Sequence, residues 1–194
     1  NNCVKMAHGE FINPEATEAK IEALTSELFD MVFVDARSGQ ERICLLALPA
    51  QAYAKMTSSE LLAQVDAARS GAGGLESYEV PKGLIKLSVA EYETWQNEGL
   101  LTPLGKKVRG AIARRYEKEL NALYDFQFQV QCQQRIDSPD LRDKLVGIIG
   151  LMIEADPEII DNHTGHLNDL GLNSLSTARL SAILKEERFN SRSV

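Results

Sequence analysis

Leu101-Thr102-Pro103-Leu104-Gly105-Lys106-Lys107-Val108-Arg109 sets a proline–glycine turn directly ahead of a helix expected to end near Tyr124. On such a turn Lys106 is placed for delivery into a neighbouring domain. The plainer alternative is a solvated basic face made of Lys106, Lys107, Arg109, Arg114 and Arg115. Thr102, Pro103 and Gly105 around the lysine weigh against that alternative, because a merely solvated face needs no turn chemistry.

Upstream, a strand is expected at residues 84–87, after Tyr78-Glu79-Val80-Pro81. Two β-rich runs, residues 31–34 and 43–48, flank a hairpin signal at Ser38-Gly39-Gln40. Thr57-Ser58-Ser59-Glu60 reads as a capping box opening a helix to about Arg69. At the start, a short strand at Val4-Lys5-Met6 leads into a glycine turn, Ala7-His8-Gly9-Glu10. Asn13 and Pro14 then cap a helix whose expected apolar side is Ala16, Ala19, Ile21, Ala23 and Leu24. Residues 1–124 thus form an α+β lobe of ordinary domain size. Gly9 fits a positive-φ turn or close approach by a ligand, and His8 is read as polar surface.

Downstream, the glutamine-rich residues 125–137 are read as an ordered linker. Ser138-Pro139-Asp140 opens a helix with Leu141, Leu145, Ile148, Ile149, Met152 and Ile153 on its apolar side. An acidic, turn-rich loop over residues 156–169 ends at Asn168-Asp169-Leu170-Gly171-Leu172-Asn173-Ser174-Leu175-Ser176. Leu175, Ala178, Leu180, Ile183 and Leu184 then recur at helical spacing, which puts Ser174 at a helix entrance. Free backbone N–H groups and the helix dipole there suit a phosphate ester, although serine is also an ordinary N-cap.

Net charge is −7, which argues against a nucleic-acid surface. Three cysteines (Cys3, Cys44, Cys132) without metal-ligand spacing fit a reducing cytoplasm, and no metal site is expected. His163 and His166, three apart on a loop, lack further ligands. No apolar run approaches a membrane span and no signal peptide is visible. The chain opens without Met inside a motif, and is read as a piece of something longer.

Three ordered stretches carry a family resemblance over residues 1–124. Asn1-Asn2-Cys3-Val4-Lys5-Met6-Ala7-His8-Gly9-Glu10-Phe11 resembles the loop that begins the mobile C-terminal domain of acyl-adenylate-forming enzymes, above all fatty acyl ligases and carboxylic acid reductases. Leu101-Thr102-Pro103-Leu104-Gly105-Lys106 with Arg109 resembles the family's last motif, and Tyr78-Glu79-Val80-Pro81 is a weaker match between them. The resemblance implies that Lys106 is catalytic, that Lys107 is a surface charge, and that Gly9 and Glu10 line the path of a pantetheine arm. It also implies ATP and Mg²⁺, held mainly by a large adenylation subdomain absent from this sequence.

Residues 138–194 resemble acyl and peptidyl carrier proteins, with Asn173 where the family usually has Asp. This implies an all-α carrier of four-helix-bundle type, here stopping after its second helix. Ser174 would carry 4′-phosphopantetheine, installed by a phosphopantetheinyl transferase. Ten acids against six bases between residues 137 and 194, a local net of −4, fit steering towards basic partners. The combined expectation is α+β followed by all-α. Such a chain belongs to an enzyme that adenylates a carboxylic acid, fatty or otherwise hydrophobic, and loads it as a thioester on its own carrier. A reductase domain or another acyl acceptor would follow. The alternative is a noncatalytic docking and carrier module charged by separate enzymes.

Overall fold

Residues 43–47 carry almost no solvent-exposed surface, the signature of a strand buried on both faces. In a computed structural model, which describes residues 3–70, 73–155, 157–166, 172, 177, 178 and 180–182, they lie at the centre of a three-stranded sheet. Strand β3 (Phe29–Asp35) pairs antiparallel with β4 (Cys44–Pro49), and β4 pairs in parallel with β5 (Gly83–Lys86). Alternation divides the strand side chains between two cores. Val32, Val34, Leu45, Ala47 and Leu84 pack against Ile21 of α1 (Pro14–Leu24) and against Leu61 and Val65 of α2 (Ser58–Ala68). Met31, Phe33, Cys44, Leu46 and Leu48 face Trp95, Ile112, Tyr116, Leu120 and Tyr124. Those residues come from the region of α3 (Val89–Thr94), from α4 (Arg109–Arg115) with its C-cap Tyr116, and from α5 (Glu117–Ile136). A second, two-stranded ladder joins β1 (Val4–Lys5) to β2 (Phe11–Ile12).

The caps agree with the sequence reading. Asn13 accepts from the amides of Glu15 and Ala16, and Thr57 and Glu60 complete the reciprocal capping box of α2. The buried face of α1 does not agree with it. Ala16, Ala19 and Ala23 are exposed, and the inward positions are Pro14, Thr17, Glu18 and Ile21, spaced i, i+3, i+4, i+7. Two polar residues outrank the alanines because each meets a partner: Thr17 donates to Glu79, and Glu18 accepts from three donors described below.

The chain divides into two compact units, residues 1–127 and 128–194. The stretch read as an ordered linker contains the boundary between the two units, and it is helical, the second half of α5. Its alternating Phe–Gln–Phe–Gln–Val run imitated a strand, yet glutamine favours helix and the pattern contains no proline or glycine.

In the second unit, α6 (Leu141–Ile153) is capped by Asp140, whose carboxylate accepts from the amides of Arg142 and Asp143, so the cap falls two residues beyond Ser138. Gly147 and Gly150 let α6 approach α5 closely. A Cβ at Gly147 would stand 2.6 Å from the Cys132 carbonyl oxygen. Among the described residues of this unit Val146, Ile149, Ile160 and Leu172 form a core cluster, with Ile160 on α7 (Pro157–Asp161), a short helix inside the expected loop. Arg135 bridges Asp143 and Asp161, tying α5, α6 and α7 together. Thr177, Ala178 and residues 180–182 are helical, as expected for the stretch after Ser174. Ser174 itself lies outside the described residues.

Candidate functional site

Two hairpin turns built to the same plan present the predicted residues of the first unit. In residues 102–106 the Gly105 amide donates to the Thr102 carbonyl at 2.8 Å, and the Thr102 amide donates to the Lys106 carbonyl at 2.8 Å. In residues 6–10 the Gly9 amide donates to Met6 at 3.0 Å, and the Met6 amide donates to Glu10 at 2.8 Å. Both glycines sit at positive φ, +75° for Gly105 and +90° for Gly9, the αL position of a three-residue hairpin loop. Lys106 and Glu10 therefore occupy equivalent places, each just after the glycine. The turns have separate neighbours. The Gly9 turn lies beside Gln40 and Tyr78, whereas the Lys106 turn leads back to α1 and β3.

The Lys106 turn is held from both sides. Thr102 Oγ1 accepts from the Lys106 amide at 3.0 Å, a bridge joins Leu101 to Lys107, and the Val108 amide donates to the Leu100 carbonyl at 2.8 Å. Beyond Lys106, Lys107 Nζ donates to Glu18 Oε2 at 3.0 Å and to the carbonyl of Val32, and reaches Glu22 Oε1 at 3.4 Å. Arg109 donates to Glu18 Oε1 and to the carbonyl of Val34, with its guanidinium 4.5 Å above the Phe33 ring. Glu18 Oε1 also accepts from the Val34 amide at 2.8 Å. Glu18 is only 5% exposed, so a buried carboxylate has both oxygens satisfied by two cations and one amide.

Lys106 is exposed, and among the described residues its ammonium has no hydrogen-bond or ion-pair partner. Leu104, at the tip of the same turn, is 88% exposed. The expectation that Lys107 is a surface charge is overturned, since its side chain is 21% exposed and committed to Glu18. Alternation is the reason: with Lys107 directed inward, its neighbour is directed outward. Sequence reasoning missed Glu18, although a charged residue on the helical face shared by Pro14, Thr17 and Ile21 was a signal.

Gly9 has open space where a Cβ would stand, so its positive φ, and not crowding, explains the residue. Glu10 is exposed. His8 is not simply polar surface. It is half-buried with its ring 5.6 Å from that of Tyr78, and Nδ1 accepts weakly from the Glu10 amide at 3.4 Å. Its Nε2 is buried without a hydrogen-bond partner among the described residues. Loss of solvent, followed by the charge of Glu10, raises the Tyr78 phenol above its ordinary range.

A cavity of about 430 Å³ lies between β1, β3 and α4, lined by Val4, Phe33, Asp35 and Arg109, but its charged groups are already paired. Among the described residues no cluster of His, Cys, Asp or Glu is arranged to hold a metal ion. His163 Nε2 lies 3.0 Å from the His166 carbonyl oxygen. Among them, too, no helix is long and apolar enough to cross a membrane.

No protein-family model matches the chain. A carboxylic acid reductase of Segniliparus rugosus is 28% identical over 202 aligned positions, covering 95% of this chain and 16% of the reductase. The A-PCP didomain of the carboxylic acid reductase from the same organism, solved with AMP, matches at 25% identity and a TM-score of 0.55. The chain is similar to carboxylic acid reductases. That didomain match covers 95% of this chain and 27% of the solved one. The adenylation domain of the Segniliparus enzyme, with AMP and a co-purified carboxylic acid, matches at 28% identity, a TM-score of 0.55 and 65% of this chain. That of Mycobacterium chelonae carboxylate reductase matches at 27%, 0.52 and 64%. This chain therefore spans well under a third of the length of each of these relatives.

Proposed function

We propose that the chain is the C-terminal lobe of an acyl-adenylate-forming enzyme, residues 1–124, followed by a carrier domain within residues 138–194. The observation that carries this reading is the Lys106 turn: a hairpin fastened on both flanks presents one lysine free, while the next lysine and Arg109 are held inward. The comparisons support the division. Adenylation-domain structures cover 64–65% of the chain, about the share that the first compact unit occupies, and the didomain covers 95%.

In the proposed reaction a carboxylate oxygen of a fatty or other hydrophobic acid attacks the α-phosphorus of ATP. The Pα–O bond to the β-phosphate breaks and pyrophosphate leaves, giving an acyl-AMP. Both reacting groups are anions, so a positioned ammonium between them favours their approach and balances the charge that builds on the phosphate oxygens. Lys106 supplies that ammonium, while ATP and Mg²⁺ are held by a large adenylation subdomain acting with this lobe. A phosphopantetheinyl transferase modifies Ser174. Ser174 would hold the 4′-phosphopantetheine arm, whose thiol would take the acyl group from the adenylate with AMP as leaving group, for a reductase domain or another acceptor. Gly9 and Glu10 line the approach of that arm. The pantetheine arm supplies the thiol; Ser174 supplies the attachment oxygen.

The test is acid-dependent exchange of pyrophosphate into ATP by the enzyme that contains this chain. Exchange that is lost in Lys106→Ala is the expected result. Absence of exchange with any fatty, aryl or other hydrophobic acid, alongside normal acceptance of acyl groups from separate enzymes, would instead establish the noncatalytic carrier module.

A further inference from the structure

Building on the reading that Lys106 is catalytic, we infer that Glu18 is a positioning residue for it, the group that decides which of two adjacent lysines is presented. Lys106 and Lys107 have identical side chains, so local chemistry offers a carboxylate either one. In an extended segment neighbouring side chains point to opposite sides, and a one-residue slip exchanges them. A slipped turn would bury Lys106 and expose Lys107.

Glu18 discriminates between the registers because it takes two cations spaced two residues apart, Lys107 on Oε2 and Arg109 on Oε1. The slipped register would bring it Lys106 and Val108, leaving a carboxylate 5% exposed with one cation fewer. The same two side chains also satisfy the free edge of β3. Lys107 donates to the Val32 carbonyl, Arg109 to the Val34 carbonyl, and Glu18 accepts from the Val34 amide. Because β3 is the outer strand of its sheet among the described residues, these backbone groups have no ladder partner there. Glu18 thus fastens the segment that follows Lys106 to a rigid sheet edge and to α1, and Lys106 is left directed away from both.

The experiment compares Glu18→Gln, Lys106→Ala and the double variant in the enzyme that contains this chain, measuring the two half-reactions separately. Glutamine keeps the shape and can still accept from Val34, but it no longer balances two cations. Glu18→Gln is expected to lower kcat for acid-dependent pyrophosphate exchange about 10–100-fold, the cost of a misplaced catalytic group. KM for ATP and for the acid, and thioester formation from supplied acyl-AMP, are expected to hold within about twofold on the same reasoning. In the Lys106→Ala background Glu18→Gln is expected to add no further loss, because it acts only through Lys106. Equal losses in both half-reactions, or full additivity in the double variant, would overturn the inference and reduce Glu18 to a structural ion pair. Should Glu18→Gln not fold, Lys107→Met decides by the same criteria, with a smaller effect because Arg109 remains. If Lys106→Ala itself exchanges at the normal rate, the catalytic reading fails, and the inference with it.

Discussion

The two adjacent lysines are expected to respond to truncation in opposite ways. Lys107→Ala removes a charged hydrogen bond to buried Glu18 and another to the Val32 carbonyl from a side chain that is 21% exposed. Glu18 keeps Arg109 and the Val34 amide, so the penalty falls short of that for an orphaned buried charge. The half-exposed contact to Glu22 adds little. A charged hydrogen bond of this kind contributes about 1.5–3 kcal/mol, and partial exposure places Lys107 near the lower end, about 1.5–2 kcal/mol. Lys106→Ala removes no side-chain hydrogen bond or ion pair among the described residues and is expected to stay within about 0.5 kcal/mol of the parent. Trp95 is the only tryptophan, is fully buried and lies in the first unit, so its fluorescence reports the unfolding of that unit. With a urea dependence of about 1–3 kcal/mol per molar, Lys107→Ala is expected to lower the midpoint by about 1 M and Lys106→Ala to leave it in place. Superimposable curves for the two variants, or a larger shift for Lys106→Ala, would refute the assignment of the inward lysine.

Gly9→Val forces a β-branched residue to φ near +90° and is expected to cost about 1–2 kcal/mol in the same urea assay, with Gly9→Asn costing less because asparagine tolerates that region. Native protein at pH 8 is expected to react with a disulfide reagent rapidly at exposed Cys3 alone. Burial pushes the Cys44 thiol up to about 12, which keeps it protonated, and Cys132 is fully covered; all three react in denaturant. Incubation with coenzyme A and a broad-specificity phosphopantetheinyl transferase is expected to add one arm, detected by intact mass. The same adduct on Ser174→Ala would move the attachment to another residue, such as Ser176.

The sheet was legible because its cues are local. The run at residues 43–48 is apolar throughout, as a strand covered on both faces requires, and Thr57 with Glu60 marks the start of α2 within four residues. The face of α1 was not legible, since Thr17 and Glu18 are buried by partners 16 to 91 residues away that the helical pattern does not contain. Nor was the helix through residues 125–136, where aromatic and polar residues alternate and the 3.6-residue period of an amphipathic helix does not stand out. The turn before Lys106 could be read from Pro103 and Gly105. That Lys107 turns inward could not, because the choice rests on Glu18, a carboxylate distant in sequence. Ser174, the strongest motif of the second half, lies outside the described residues and rests on its sequence alone.

The central claim is that Lys106 acts on the adenylation step, and the most direct measurement is of Lys106→Ala in each half-reaction. Losing a charge contact of this kind costs about 10²–10³-fold in rate, so acyl-AMP formation is expected to fall by that factor. Thioester formation on the holo carrier from supplied acyl-AMP is expected to remain close to the parent rate. Equal damage to both steps would contradict the account and leave Lys106 as a residue that only supports the turn.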